Sequence, residues 1–164
     1  MRYHRAMPGS ASPSLGLLLD ALDEAFDKSS WHGPNLRGAL RGVTPAQAGW
    51  RPAPGRHNVW ELALHAAYWK YVVRRRLSGE KRGSFPLPGS NFFLRSGEEG
   101  EAAWRRDLAL LADQHRQLRW AVLELSAAAL RDTKQVRLIR GAAAHDLYHA
   151  GQIRLLRRLC PLPA

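Results

Sequence analysis

The sequence predicts an all-α fold, most simply a four-helix bundle. Four long segments of the 164-residue chain carry apolar residues at intervals of three and four, which is the spacing of one helix face. No segment alternates apolar and polar residues over the length of a strand, and no Asn-Gly or Asp-Gly pair marks a hairpin. A chain of this length can bury a core without metal or disulfide bonds, so we expect any bound metal to serve a function.

The first helix is predicted from about Ser14 to Lys28, after the start signal Ser12-Pro13. We expect residues 1–13 to form a frayed tail and residues 14–164 to form the bundle. The apolar stripe of this helix consists of Leu15, Leu18, Leu19, Leu22 and Phe26.

Two connections rich in glycine and proline separate the first three long helices. Residues 29–55 hold five glycines and four prolines, with short helical turns predicted at about Asn35–Arg41 and after Thr44. Residues 79–97 contain two prolines and cannot continue a helix, so they form a long second connection. Connections of this length often carry functional residues.

The second long helix is predicted from about Asn58 to Ser78. Asn58 followed three residues later by Glu61 is a capping-box pattern, with Asn in the place of Ser or Thr. His65 lies within the apolar stripe of this helix, which places its imidazole inside the bundle.

The third and fourth long helices are predicted at about Glu98–Ala129 and Lys134–Leu159. The acidic start of the third suits a helix N-terminus, and Pro161 ends the fourth. His145 and His149 lie on the apolar side of the fourth helix, among leucine, isoleucine and alanine.

Three of the seven histidines form a candidate metal site. His145 and His149 are four residues apart, so their imidazoles project from nearly one helix face with Cβ atoms about 6 Å apart. His65 adds a third imidazole from a facing helix, and bundles build metal sites in this way. Three ligands leave a coordination position open for water or substrate, which is typical of catalytic rather than structural sites. Neutral imidazoles suit a divalent ion such as Zn, Ni or Fe, and the spacing does not choose among them.

The segment from His145 to His149 resembles the H-E-x-x-H helix of metalloproteases only in part. Asp146 stands where that motif has its glutamate base, and no His, Asp or Glu follows His149 to complete the ligand set. We therefore exclude a zincin. Asp146 has two open interpretations, a solvated residue or a carboxylate that orients an imidazole.

The other histidines are not predicted ligands. His32 follows Trp31 in a connection that could fold over the bundle end, and is either a pocket residue or simply exposed. His57 is expected on the solvent side, and His115 lies on a helix face rich in Gln and Arg. Gly151 and Gln152 could permit close helix contact and line the pocket.

The net charge of +11 suggests nucleic acid as a partner, but it is only weak support for such binding. It arises from 21 arginines and 4 lysines against 14 acidic residues. The main clusters, at residues 74–76 and 154–158, lie near predicted helix ends, where basic side chains complement the helix dipole. Charge alone reports non-specific attraction, so nucleic-acid binding is not expected.

The sequence also predicts a cytoplasmic protein with no membrane span. No apolar run approaches the roughly 20 residues that a membrane helix needs, and no apolar segment of a signal peptide follows the first residues. The one cysteine, Cys160, excludes an internal disulfide and fits a reducing compartment. Since Pro161 follows it at a helix end, we expect Cys160 to be neither catalytic nor a ligand.

Two helical segments carry a family resemblance. Residues 58–69, Asn-Val-Trp-Glu-Leu-Ala-Leu-His-Ala-Ala-Tyr-Trp, and residues 145–153, His-Asp-Leu-Tyr-His-Ala-Gly-Gln-Ile, resemble the signature helices of the DinB superfamily, also described as DinB/YfiT-like metalloenzymes. The stretches 31–34, 43–48 and 51–52 are similar to the first connection of the same family. The resemblance extends over nearly the whole chain from about Ser14.

The resemblance implies an up-down-down-up four-helix bundle with a divalent metal on His65, His145 and His149. It also implies that the protein could use a low-molecular-weight thiol, because some relatives catalyse S-transfer or isomerisation with such thiols and others have no established activity. The leading hypothesis is a metal-dependent hydrolase or thiol S-transferase acting on an unidentified small molecule. The alternative is a non-enzymatic helical interaction module. A homodimer is expected in either case, because six tryptophans and aromatic stripes suit an interface.

Overall fold

The computed structural model describes residues 13–162, and this part of the chain contains helices and no strand. The helices are α1 (Pro13–Phe26), α2 (Leu36–Leu40), α3 (Pro45–Gly49), α4 (Val59–Ser78), α5 (Gly100–Leu123) and α6 (Thr133–Leu159), with a 3₁₀ turn at Ala129–Arg131. The predicted all-α class is confirmed. Residues 1–12, most of the predicted tail, lie outside the described residues.

Local signals explain where the helices begin and end. Asn58 caps α4, its side chain accepting a hydrogen bond from the Glu61 N–H at 2.8 Å. The reciprocal half of the predicted capping box is absent, because the Glu61 carboxylate binds other groups. α5 ends at Leu123, earlier than the predicted Ala129, since the Ser126 hydroxyl accepts from the Ala129 N–H and starts a separate turn.

Pairs of contacting side chains fix the directions of the four long helices. The pairs are Trp60–Asp107 and Lys70–His115 for α4 with α5, His65–His149 and Lys70–Asp146 for α4 with α6, and Asp23–Arg119 and Phe26–His115 for α1 with α5. α4 and α5 are therefore parallel, whereas α6 opposes α4 and α1 opposes α5. This is the up-down-down-up order that the resemblance implied.

The two long connections meet at the N-terminus of α4. The Asn58 side-chain amide donates to the carbonyl of Gly49 at 3.1 Å and to that of Arg95 at 2.6 Å. Gly49 is required there, because a Cβ at this position would overlap the carbonyl oxygen of Ser96. The meeting point fixes the loops beside the first turns of α4, next to the predicted metal site.

The core consists of two groups of buried side chains. One surrounds α4 and α5 and includes Trp60 and Trp104, whose ring N–H groups donate to Asp107 and to the Val43 carbonyl. The other joins α1 to α6 and includes Leu22 and Ile139. None of the described helices is long and apolar enough to cross a membrane.

Candidate metal centre

The three predicted histidines lie together between α4 and α6. Nε2 of His145 is 3.1 Å from Nε2 of His65 and 3.0 Å from Nε2 of His149. One nitrogen from each ring lies within 4.8 Å of the others. His65 and His149 are buried and His145 is half-buried. The cluster could hold a metal ion.

Two rings of the cluster are held by hydrogen bonds at the opposite nitrogen. Nδ1 of His65 donates to the backbone carbonyl of Asn91 at 3.0 Å, and Nδ1 of His149 to Oε1 of Gln152 at 2.6 Å. The Gln152 amide in turn donates to the Tyr148 hydroxyl at 3.1 Å. Because each Nδ1 carries the proton, each Nε2 presents a lone pair to the cluster.

Asn91 holds the site from the second connection. Its φ is +67°, in the left-handed region that asparagine tolerates better than most residues. Besides its carbonyl bond to His65, its side-chain oxygen accepts from the Trp69 ring N–H at 3.0 Å. No sequence signal marked Asn91, because its role depends on where a long loop folds.

Burial keeps the cluster neutral at physiological pH. Removal from water lowers the pKa of His65 to about 4 and that of His145 to about 3, and it also lowers the pKa of His149. The neighbouring imidazoles add to the effect on His65 and His145, because charges on adjacent rings would repel each other. Neutral imidazole is the form that binds metal.

The donor set fits a divalent cation. The lone pairs of His65 and His149 both face Nε2 of His145, and a neutral His145 has at most one N–H there to donate. A cation at the centre would satisfy all three nitrogens at once. Two imidazole nitrogens on a tetrahedral zinc ion lie roughly 3.3 Å apart, given Zn–N bonds of about 2.0 to 2.1 Å. The two separations at His145 need a small adjustment to reach this value, and the third pair, His65 and His149, lies within 4.8 Å and would close around the ion.

The cluster faces a pocket of about 950 Å³ with mostly apolar walls. The residues around the three histidines are Pro52, Ala53, Arg56, His57, Leu62, Trp69, Asn91, Phe92, Tyr148, Gln152, Leu155 and Leu156. A pocket of this volume accommodates a small molecule, and Arg56 and His57 supply polar groups on one wall. The prediction that Gln152 lines the pocket is confirmed.

A buried carboxylate supports the same wall. Arg51 and Glu61 form an ion pair through the two terminal guanidinium nitrogens, and Nδ1 of His57 lies 2.8 Å from the same carboxylate. Burial acts to raise the pKa of Glu61, but the bonds from Arg51 and His57 outweigh it and leave this pKa lowered. His57 stacks on Phe92, which stacks on His65. His57 is exposed as expected, yet it also lines the pocket.

Other sequence interpretations are corrected by the structure. Asp146 is neither solvated nor bonded to an imidazole: it is fully buried and paired with Lys70. The Gly151 position has open space around it, so close helix contact does not explain this glycine. Of the two interpretations of His32, exposure is confirmed: Trp31 and His32 are both exposed and do not line the pocket.

Comparison with known proteins agrees with this arrangement. The sequence profile of the DinB superfamily matches residues 30–153. No curated protein and no solved structure matches the chain. The matched residues make up most of the chain and include all three clustered histidines, and the protein therefore belongs to the DinB superfamily.

Proposed function

We propose that His65, His145 and His149 bind one divalent ion, such as Zn, Ni or Fe, and that the protein is a metal-dependent enzyme. The convergence of three Nε2 atoms at the floor of a large pocket is the observation that carries this proposal. The three histidines would leave a coordination position for a ligand from the pocket. The family is associated with metal, which supports the same assignment.

The ion would supply Lewis-acid chemistry, lowering the pKa of a bound water or thiol so that a nucleophile exists at neutral pH. The chain would contribute the rest. Leu62, Phe92 and Leu156 would present an apolar surface to the substrate, and Arg56 would orient an anionic group of it. A thiol S-transferase or a hydrolase fits this division of roles, with an unidentified small molecule as substrate.

The proposal is tested by titrating chelator-treated protein with zinc in a calorimeter. We expect one equivalent to bind wild type, and severe weakening in each of the variants His65→Ala, His145→Ala and His149→Ala. His32→Ala is the matched control, because His32 is exposed and outside the pocket. His115 is unsuitable as a control since it is buried. Equal uptake by wild type and the triple variant would contradict the proposal.

A cobalt-loaded sample distinguishes the enzyme from a non-enzymatic interaction module. If the ion has an open position facing the pocket, a small thiol should add a thiolate-to-cobalt charge-transfer band and should do so saturably. The module hypothesis expects no spectral change. It draws support from exposed apolar side chains on α6, namely Tyr148, Leu155 and Leu159, and a homodimer through this face stays a prediction.

A further inference from the structure

A second cavity, of about 410 Å³, lies between α4 and α6 on the other side of Trp69 and His145 from the metal pocket. We call it the α4–α6 groove. Trp69, Val73 and Arg76 of α4 line one side of it. Lys134, Arg137, Leu138, Gly141, Ala142 and His145 of α6 line the other. Trp69 and His145 also line the metal pocket, so the two cavities share a wall.

Three cations of the groove lack a partner. The side chains of Arg76, Lys134 and Arg137 are exposed, and none makes an ion pair or hydrogen bond with any described residue. Among the residues that the structure describes, Asp146 is the one acidic side chain that lines the groove, and Lys70 neutralises it. The groove therefore presents uncompensated positive charge, which attracts an anion.

The groove is elongated, with its charge at one end. Because α4 and α6 are antiparallel, Arg76 lies near Lys134 and Arg137, whereas Trp69 lies near His145. Arg76 is about 10 Å along α4 from Trp69, given a rise of 1.5 Å per residue. The walls between the two ends are apolar, formed by Val73, Leu138 and Ala142. A matching ligand has an acidic head and an extended apolar body.

Small residues leave the space open. Gly141 lies one turn from both Arg137 and His145 on the same stripe of α6, and a Cβ built there meets no atom within 4 Å. A glycine inside a helix costs about 1 kcal/mol relative to alanine. No packing contact requires this glycine, but Gly141 lines the groove, so a large side chain at this position would extend into the cavity.

We propose that the α4–α6 groove binds a small organic anion with an extended apolar body, its acidic group at Arg76, Lys134 and Arg137 and its apolar end against Trp69. The inference goes beyond the proposed enzymatic function and does not require a bound metal. A ligand in this groove would contact the wall that carries His145, so binding at one site should change the affinity of the other.

The test uses decanoate, an amphiphilic carboxylate of comparable length, below its micelle concentration. Binding is measured by calorimetry on the full chain after chelation, so that the carboxylate cannot bind a metal. We expect one site in wild type, and about tenfold weaker binding for each of Arg76→Glu and Arg137→Glu. Gly141→Leu should abolish binding by filling the groove.

Two matched variants provide the controls. Arg140→Glu makes the same charge change on the same helix outside the groove, and Gly151→Leu makes the same size change at another open position of α6. Both should bind decanoate as wild type does. No binding to wild type, equal weakening by Arg140→Glu, or retained binding in Gly141→Leu would each overturn the proposal. Weakening by Arg56→Glu but not by Arg76→Glu would place the ligand in the metal pocket and overturn it as well.

Discussion

At the scale of single residues, the candidate centre depends on how each imidazole is protonated. The carbonyl of Asn91 accepts from His65, and the Gln152 oxygen accepts from His149, so each ring keeps its Nε2 lone pair. These partners also hold the ring planes, which reduces the entropy lost when a metal binds. The partner at His149 is a side chain, and it can be altered without moving the backbone.

Replacing Gln152 should weaken metal binding without touching a ligand. Gln152→Leu removes the acceptor at Nδ1 of His149, and loss of such a partner lowers metal affinity by about 10- to 100-fold. Gln152→Glu keeps an acceptor in reach and should bind at least as tightly as wild type. Competition titration with a chromophoric chelator measures both affinities. Equal affinity in Gln152→Leu and wild type would show that the hydrogen bond does not support the site.

His115 should make the protein sensitive to acid. Burial, aided by the Lys70 charge, lowers the pKa of His115 to about 3, and its ring stacks on Phe26 at 3.9 Å. Between pH 6.5 and about 3, the unfolded chain binds a proton at this ring that the folded chain does not, so the free energy of unfolding falls as pH falls. Between pH 7 and pH 5, this one group should lower the free energy of unfolding by about 2 kcal/mol.

His115→Phe tests this sign and magnitude. Phenylalanine preserves the stacking on Phe26. The charged neighbours of His115 still have partners in the variant, because Lys70 pairs with Asp146 and Asp23 pairs with Arg119. Urea unfolding at pH 7 and pH 5 should show a smaller loss in the variant than in wild type, by about 2 kcal/mol. In the control variant His32→Phe, which changes an exposed position, the free energy of unfolding should fall between pH 7 and pH 5 as much as in wild type. Parallel losses in wild type and His115→Phe would contradict the prediction.

At the scale of elements, α4 and α6 are joined by the buried ion pair of Lys70 and Asp146. Both side chains are about 1% exposed, and Lys70 also lies 3.4 Å from Nδ1 of His115 on α5. Asp146 directly follows His145 in the sequence, so its pairing with Lys70 holds the register in which α6 presents its histidines to α4. Burying two charges costs desolvation free energy. Replacing both residues therefore changes the free energy of unfolding less than replacing one, which leaves the other charge buried alone.

A double-mutant cycle should separate these two effects. Asp146→Leu leaves the Lys70 ammonium buried alone, and Lys70→Met does the same to the carboxylate, so each should lower the free energy of unfolding by about 3 to 5 kcal/mol. The double variant Lys70→Met with Asp146→Leu should recover most of this loss. Urea denaturation with unchanged m-values measures all three. Additive losses in the double variant would rule out the pair as a coupled unit.

The sequence predicted the helices from short-range spacing, and it predicted the histidine cluster from spacing within each helix together with the family resemblance, because His65 lies 80 residues from His145. The pair His145 and His149 shares a face by helix geometry alone, and His65 lies in an apolar stripe. The contribution of Asn91 was not predictable, since it depends on a connection of 21 residues folding back onto α4. The same limit applies to Glu61, whose carboxylate was assigned to a capping box but binds Arg51 and His57 across a loop. The pairing of Asp146 with Lys70 was not predictable either, because the two residues are 76 positions apart.

At the scale of the whole molecule, we expect the fold to form without a metal ion. The two core groups contain buried leucines from every long helix and the tryptophans of α4 and α5, while the three histidines lie at the floor of an open pocket. A chain of this length buries roughly two thirds of its unfolded surface, which suffices for a stable core. Metal should therefore act on the folded protein as a ligand.

Metal binding should accordingly raise the melting temperature of an already folded protein. The stripped chain is expected to retain a helical circular dichroism spectrum, because its core is complete. Free metal at about 100 times its Kd adds about 2.7 kcal/mol, which for a chain of this size raises Tm by about 5 to 10 °C. The triple variant of His65, His145 and His149 should show no shift, whereas His32→Ala should shift as wild type does. A stripped protein that lost its helical signal would show that the ion is part of the fold, and a shift that persisted in the triple variant would place the ion elsewhere.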